Sequence, residues 1–166
     1  KEYEDLLKAA SQSKLLLLRD FIEFLYSTGA RYSEAMGLLR ADVDFEKKVG
    51  TFRDTKNGDD RTIPLADNVI AILKRYPFGN TFFRVTSYDS YNWFFNQACK
   101  RAGVENFVSH DLRACFITNA LLSGMSEAAV AAISGHKDFR SMKRYTRIKA
   151  QDLVEDVNKI KVIKIG

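Results

Sequence analysis

The chain has 166 residues, 46% of them hydrophobic and 28% charged, which fits one domain with an ordinary buried core. It holds no apolar run long enough to span a bilayer and no signal-peptide order at its start, so a soluble, cytoplasmic protein with no membrane partner is expected. Lys plus Arg number 26 against 21 Asp plus Glu, and the resulting +5 is by itself a weak pointer to a polyanionic partner. Cys99 and Cys115 stand singly, without zinc spacing or a disulfide framework, and read as reduced, buried small hydrophobes.

The first residue is Lys1 rather than Met, and the opening stretch is already polar and helix-like. We therefore expect residues 1–166 to be a single domain cut from something longer, lacking an N-terminal partner domain. Leu15, Leu18, Ile22 and Leu25 recur at helical spacing and predict a packed helix over residues 13–26, ended by Thr28-Gly29. Ser33 then reads as the N-cap of a short helix through Leu39, with Glu34 near its positive end and Arg31 just ahead of it.

Phe45, Val49-Gly50-Thr51-Phe52 and Arg61-Thr62-Ile63-Pro64-Leu65 are short, rich in β-branched or aromatic residues and separated by Lys- and Gly-containing turns. They predict a small antiparallel sheet. Helical patterning returns at Asp67–Tyr76, Ser87–Ala102, Ser109–Ser123, Ser126–Ser134 and from Phe139 onward, several segments opening on a serine or aspartate cap, with Gly124 and Gly135 as stops. The tail from Lys159 to Ile165 alternates charged and apolar residues, as a strand with one wet face does. The expected class is α+β, mainly α, with one small antiparallel sheet.

The chemistry gathers around two histidines. His110 stands three residues before Arg113 at the start of a helix, so the two side chains project from nearly one face. His136 follows Gly135 at a helix junction, nine residues before Tyr145. Either histidine alone is more often a structural residue than a catalytic one. Taken in order, however, Arg31, Lys56 on the turn between two strands, His110-x-x-Arg113, Gly135-His136 and Tyr145 resemble one family, the tyrosine recombinases of the phage integrase type. The resemblance runs from about Phe21 to Asp152. It departs from the common pattern at Ala114-Cys115, where His-Thr is frequent, at positions that serve packing in the family.

That resemblance implies the helical catalytic domain of the family and an enzyme that breaks and rejoins DNA. Tyr145 would be the nucleophile, forming a 3′-phosphotyrosyl link and freeing a 5′-hydroxyl. Arg31 and Arg113 would grip the scissile phosphate, Lys56 would protonate the leaving oxygen, His110 would act as acid and base, and His136 would contact the phosphate. It also implies double-stranded DNA as partner and a homo-tetramer on two DNA sites, with a free monomer left open and residues 149–166 as the segment that docks on a neighbour. When DNA is bound, the protein would sit with the nucleoid.

The physical case stands beside the name. A phosphodiester under attack gathers negative charge that two planar guanidinium forks can neutralise in bidentate fashion, so no metal and no other cofactor is called for. Tyrosine, with an ordinary pKa of about 10, needs proton acceptance or nearby positive charge to become a nucleophile. Lys143, Arg144 and Arg147 supply such a field, and with Lys137 and Arg140 they form a candidate DNA-facing surface; residues 101–150 carry a net +4.

Each assignment has a plainer rival. Arg31 could simply pair with Glu34, Lys56 could be an ordinary turn lysine like Lys47 and Lys48, and Tyr145 is one of seven tyrosines. Tyr91, Trp93, Phe94 and Phe95 are assigned to packing rather than base stacking. Asp42 and Asp44 lack further ligands at metal spacing. Three other functions compete: a helix-turn-helix regulator built on Ser126–Tyr145, a type IB topoisomerase with similar catalytic groups, and a recombinase relative that has lost activity and serves as a DNA clamp, against which stands that every expected catalytic position is filled.

Overall fold

The computed structural model describes residues 1–53 and 60–136. Three expectations lie outside these residues: the hairpin turn carrying Lys56, the helix from Phe139 and the strand-like tail.

Two helices open the chain. Helix α1 (Glu2–Ser11) buries Leu6, Ala9 and Ala10, and α2 (Leu18–Thr28) buries Leu18, Phe21, Ile22, Phe24 and Leu25. The predicted stripe is real, but α2 begins at Leu18 and not at residue 13. Ser13 explains the delay: its Oγ accepts the Leu15 N–H at 3.1 Å, holding a local turn that competes with the helix.

After α2 comes α3 (Tyr32–Gly37), whose N-cap is Arg31 and not Ser33. The backbone N–H of Arg31 donates to Glu34 Oε2 at 2.7 Å, so the glutamate three residues on satisfies the cap from the far side. Strands β1 (Val43–Asp44), β2 (Val49–Phe52) and β3 (Arg61–Pro64) form an antiparallel sheet in that spatial order, with Gly50 opposite Ile63 and Thr51 opposite Thr62. The first strand lies at Val43–Asp44 instead of Phe45, whose ring packs near Phe82 at 6.2 Å between centroids.

Four more helices follow: α4 (Asp67–Lys74), α5 (Tyr88–Ala102), α6 (Ser109–Leu122) and α7 (Glu127–Ser134). Ser87 and Ser126 cap α5 and α7 as expected, accepting the Ser90 and Ala129 N–H at 3.1 and 3.2 Å. Asp67 and Ser109 do not cap; Ala66 and Val108 hold those positions, and Asp111 accepts the Val108 N–H at 2.8 Å in compensation.

The core is a helical layer centred on α2, which touches α1, α3, α4, α5 and α6. Phe21 is fully buried and makes edge-on contacts with Phe83 at 5.0 Å, Tyr91 at 5.2 Å and Tyr32 at 5.6 Å. Burying one such ring contributes about 1.5–3 kcal/mol, and through Tyr32 it fixes the residue next to Arg31. Tyr91 and Phe95 are core, but Trp93 is 58% exposed and does not pack as expected, because it falls on the outer face of α5. Cys99 is buried and Cys115 only half-buried; both thiols are unoxidised, and burial pushes them up, Cys99 to about 11. Among the described residues, no helix is long and apolar enough to cross a membrane.

Candidate active site

The site begins at the end of α2. Gly29 caps that helix in the left-handed conformation, φ +64°, where a side chain would also drive its Cβ to 2.4 Å from Phe116 Cδ1. The turn is tied from behind: Thr28 Oγ1 donates to the Phe24 carbonyl at 2.7 Å and accepts the Ala30 N–H at 3.2 Å. Its front is tied by Arg113, whose Nη1 donates to the Gly29 carbonyl at 2.7 Å. A buried arginine on α6 and the last turn of α2 thereby set each other's position.

Arg113 is only 3% exposed, a costly place for a cation unless its donors are satisfied. Its second nitrogen, Nη2, lies 3.3 Å from His136 Nδ1, and Ser134 Oγ lies 2.7 Å from the same atom. Because a guanidinium can only donate, the Arg113 contact is a hydrogen bond in the tautomer with the ring proton on Nε2, while in the other tautomer Nδ1–H donates to Ser134 Oγ. Gly135 makes this possible by ending α7 at φ +74°, turning His136 back toward α6.

Arg31 both follows its plainer reading and exceeds it. Its Nη1 donates to Glu34 Oε1 at 2.7 Å, yet its side chain stays 38% exposed and lines a small pocket, about 80 Å³, together with Tyr32, Tyr88, His110 and Arg113. His110, exposed one turn before Arg113, reaches the pocket from the start of α6. The structure thus brings Arg31, His110 and Arg113 to one pocket and links Arg113 to His136.

Two residues here were not singled out in the sequence. Arg61, on β3, forks onto Glu34 with Nη1–Oε1 at 3.0 Å and Nη2–Oε2 at 2.9 Å. Burial alone would raise the Glu34 carboxyl, but the Arg61 fork and the Arg31 contacts outweigh it and hold it below its ordinary range. Ser134 is the other, fully buried beside His136. Neither has a motif signal: Arg61 and Glu34 lie 27 residues apart, so their pairing follows from sheet and helix packing and not from any local period.

Lys56, Tyr145 and the basic candidates Lys137, Arg140, Lys143, Arg144 and Arg147 lie outside the described residues. The competing lysines are placed: Lys48 pairs with Asp67 at 2.6 Å and Lys47 with Asp44 at 3.7 Å. Asp42 is held by the fork of Arg53 at 2.6 and 2.8 Å, and Asp44 accepts the Glu46 and Lys47 N–H groups. Among the described residues, no group of three or more His, Cys, Asp or Glu is placed to hold a metal ion.

The helical layer with its three-stranded sheet is a fold shared with an integrase catalytic domain. The catalytic domain of bacteriophage HP1 integrase superposes with a TM-score of 0.75 at 25% identity, covering 95% of this chain and 90% of that one. A Tn1549 transposon integrase, solved with circular intermediate DNA, superposes at 0.76 and 22% identity over 95% of this chain and 63% of that one, a likeness of fold. Residues 1–152 match the Phage integrase family, and the chain belongs to it.

Among its relatives, the tyrosine recombinase XerA of Saccharolobus solfataricus is 28% identical over 92% of this chain and 52% of its own length. The shufflon-specific DNA recombinase of Escherichia coli is 30% identical over 89% of this chain and 39% of its own. The chain thus spans about half the length, or less, of these relatives.

Proposed function

We propose that this domain carries out site-specific recombination of double-stranded DNA, cutting and rejoining strands through a 3′-phosphotyrosyl link to Tyr145. The observation that carries the reading is the convergence of Arg31, His110 and Arg113 on one pocket, with His136 hydrogen-bonded to the same Arg113. Two guanidinium groups reaching one small cleft from α6 and from the cap of α3 are what an approaching phosphate needs. Each offers planar donors for non-bridging oxygens that gain charge in the transition state, and loss of one such donor typically costs about 10²–10³ in rate.

In this scheme Tyr145 attacks the phosphorus, its proton passing to a base, and the P–O bond to the 5′ oxygen breaks. His110, at the pocket mouth, serves as acid and base, while a proton from Lys56 turns the leaving alkoxide into a 5′-hydroxyl. Such positioned proton transfer is worth about 10²–10⁴. His136, proton on Nε2, donates to the phosphate. Rejoining is the reverse attack by a 5′-hydroxyl on the phosphotyrosine, so the bond energy is kept in the covalent link and no ATP or metal enters the balance.

Strand exchange between two sites requires four cleavages, and a homo-tetramer on DNA supplies one tyrosine for each. The relatives named as DNA recombinases, and the XerH recombinase solved on its difH substrate, support DNA as the partner.

The test is a denaturing gel of the protein incubated in EDTA with a nicked duplex carrying its attachment site. Wild type is expected to give a covalent protein–DNA band that Tyr145→Phe lacks. DNA binding without that band would overturn the reading.

A further inference from the structure

Arg61 has no part in the scheme above, yet it lies between two of the elements the scheme needs. Its side chain is 11% exposed, and its guanidinium carbon sits 5.3 Å above the Phe52 ring. On one side its fork covers both oxygens of Glu34, the carboxylate that also receives the backbone N–H and Nη1 of Arg31. On the other side it packs against the end of α7, so closely that a Cβ on Gly135 would lie 2.3 Å from Arg61 Nη1. A side chain at Gly135 would be strained by the positive φ and would displace the guanidinium beside it. Arg61 Nε is buried and finds no hydrogen-bond partner among the described residues, so the side chain is not placed there to satisfy its own donors.

A structural ion pair needs one cation per carboxylate. Here Glu34 takes four donors from two arginines, which leaves the cluster with a net positive charge, and of the three residues Arg31 lines the pocket. We propose that Arg61 is a positioning residue: its fork on Glu34 sets the reach of Arg31, and the edge of its guanidinium lies against Gly135 and seats the Gly135–His136 junction, so both are referenced to one side chain. The proposal rests on the functional reading above for what the two residues do, but not for whether Arg61 holds them.

The geometry implies a measurable division. Replacing Arg61 with Met keeps the stem over Phe52 and removes the fork, while Arg61→Lys keeps the charge but cannot cover both Glu34 oxygens. Arg75→Met, which removes an ion pair with Asp20 between two residues that do not line the pocket, is the structural control.

In ¹⁵N-arginine-labelled 166-residue chain, the Arg31 Nε–Hε resonance should broaden or shift in Arg61→Met and Arg61→Lys and stay unchanged in Arg75→Met. Single-turnover cleavage of the nicked duplex should fall by about 10²-fold in Arg61→Met, the usual result of an ångström-scale misplacement. That loss should be smaller on a His136→Ala background, where only the part acting through Glu34 and Arg31 remains, since coupled residues are not additive.

An Arg31 resonance indifferent to Arg61, or Arg61 and His136 losses that simply multiply, would overturn the proposal. If Arg61→Met does not fold, Arg61→Lys decides by the same readouts. A wild-type chain that makes no covalent adduct sinks the functional reading alone, and the Arg31 resonance still decides this one.

Discussion

Arg113 divides one guanidinium between the Gly29 carbonyl and the His136 ring, and at 3% exposure the water that could replace either contact is excluded. Arg113→Ala leaves the Gly29 carbonyl unpaired in the interior, which costs about 1–3 kcal/mol. We expect that loss in urea denaturation, together with a fall in cleavage beyond what stability explains. Arg113→Lys should be nearly as damaging, because a point charge cannot hold two acceptors in the plane of a fork. A lysine variant with wild-type stability and rate would show that the fork is dispensable.

Glu34 makes a prediction of opposite kind, in pH. Its carboxyl is held below its ordinary value of 4.5 in the folded protein, burial being outweighed by Arg61 and Arg31. The stabilisation is therefore complete above the unfolded value and is lost as pH falls through the lower, folded one. Melting temperatures of wild type and Glu34→Gln should differ by a constant amount from neutral pH down to about 4.5, then converge in more acid solution. A gap that widens on acidification would contradict the assigned cause.

At the scale of elements, the ends of helices were easier to read than their starts. Gly29 and Gly135, both read as stops, terminate helices with positive φ, because glycine enters that region without strain, while Gly124, also at positive φ, follows the Ser123 cap of α6 by one residue. Starts are ambiguous, since many polar residues can cap: Ser33 and Ser109 were plausible caps, but Arg31 and Val108 were chosen by glutamate or aspartate carboxylates accepting from the opposite side. Trp93 was misread for a related reason, as a cluster of four aromatics does not say which face of α5 each occupies.

Gly29 supplies the prediction at this scale. Gly29→Ala incurs the left-handed penalty, about 1–2 kcal/mol, and also pushes a Cβ onto the Phe116 ring. Gly29→Asn, which tolerates positive φ better, should remain destabilised by the ring contact and improve when Phe116 is changed to Leu. If Asn alone restores wild-type stability in denaturant, φ is the whole effect and the ring gives way.

For the whole molecule, the grouping of the described candidates was legible because it is a matter of order along the chain: Arg31, then His110-x-x-Arg113, then Gly135-His136 are neighbours in space because α6 packs against both α2 and α7. Arg61 was not legible, since nothing local marks an arginine that will meet a glutamate across a sheet. The same global view bears on DNA binding. With a net charge of +5, the chain should bind DNA in a steeply salt-dependent way, each phosphate contact contributing about 0.9 to the slope of log K against log salt. Arg31 is the informative probe, because it is already engaged with Glu34 and yet 38% exposed to the pocket. If it contacts a phosphate, Arg31→Gln should make the slope shallower by about 0.9 and weaken binding equally on all sequences. If its charge is spent wholly on Glu34, the slope will not change, and the phosphate grip must then come from Arg113 and residues beyond the pocket.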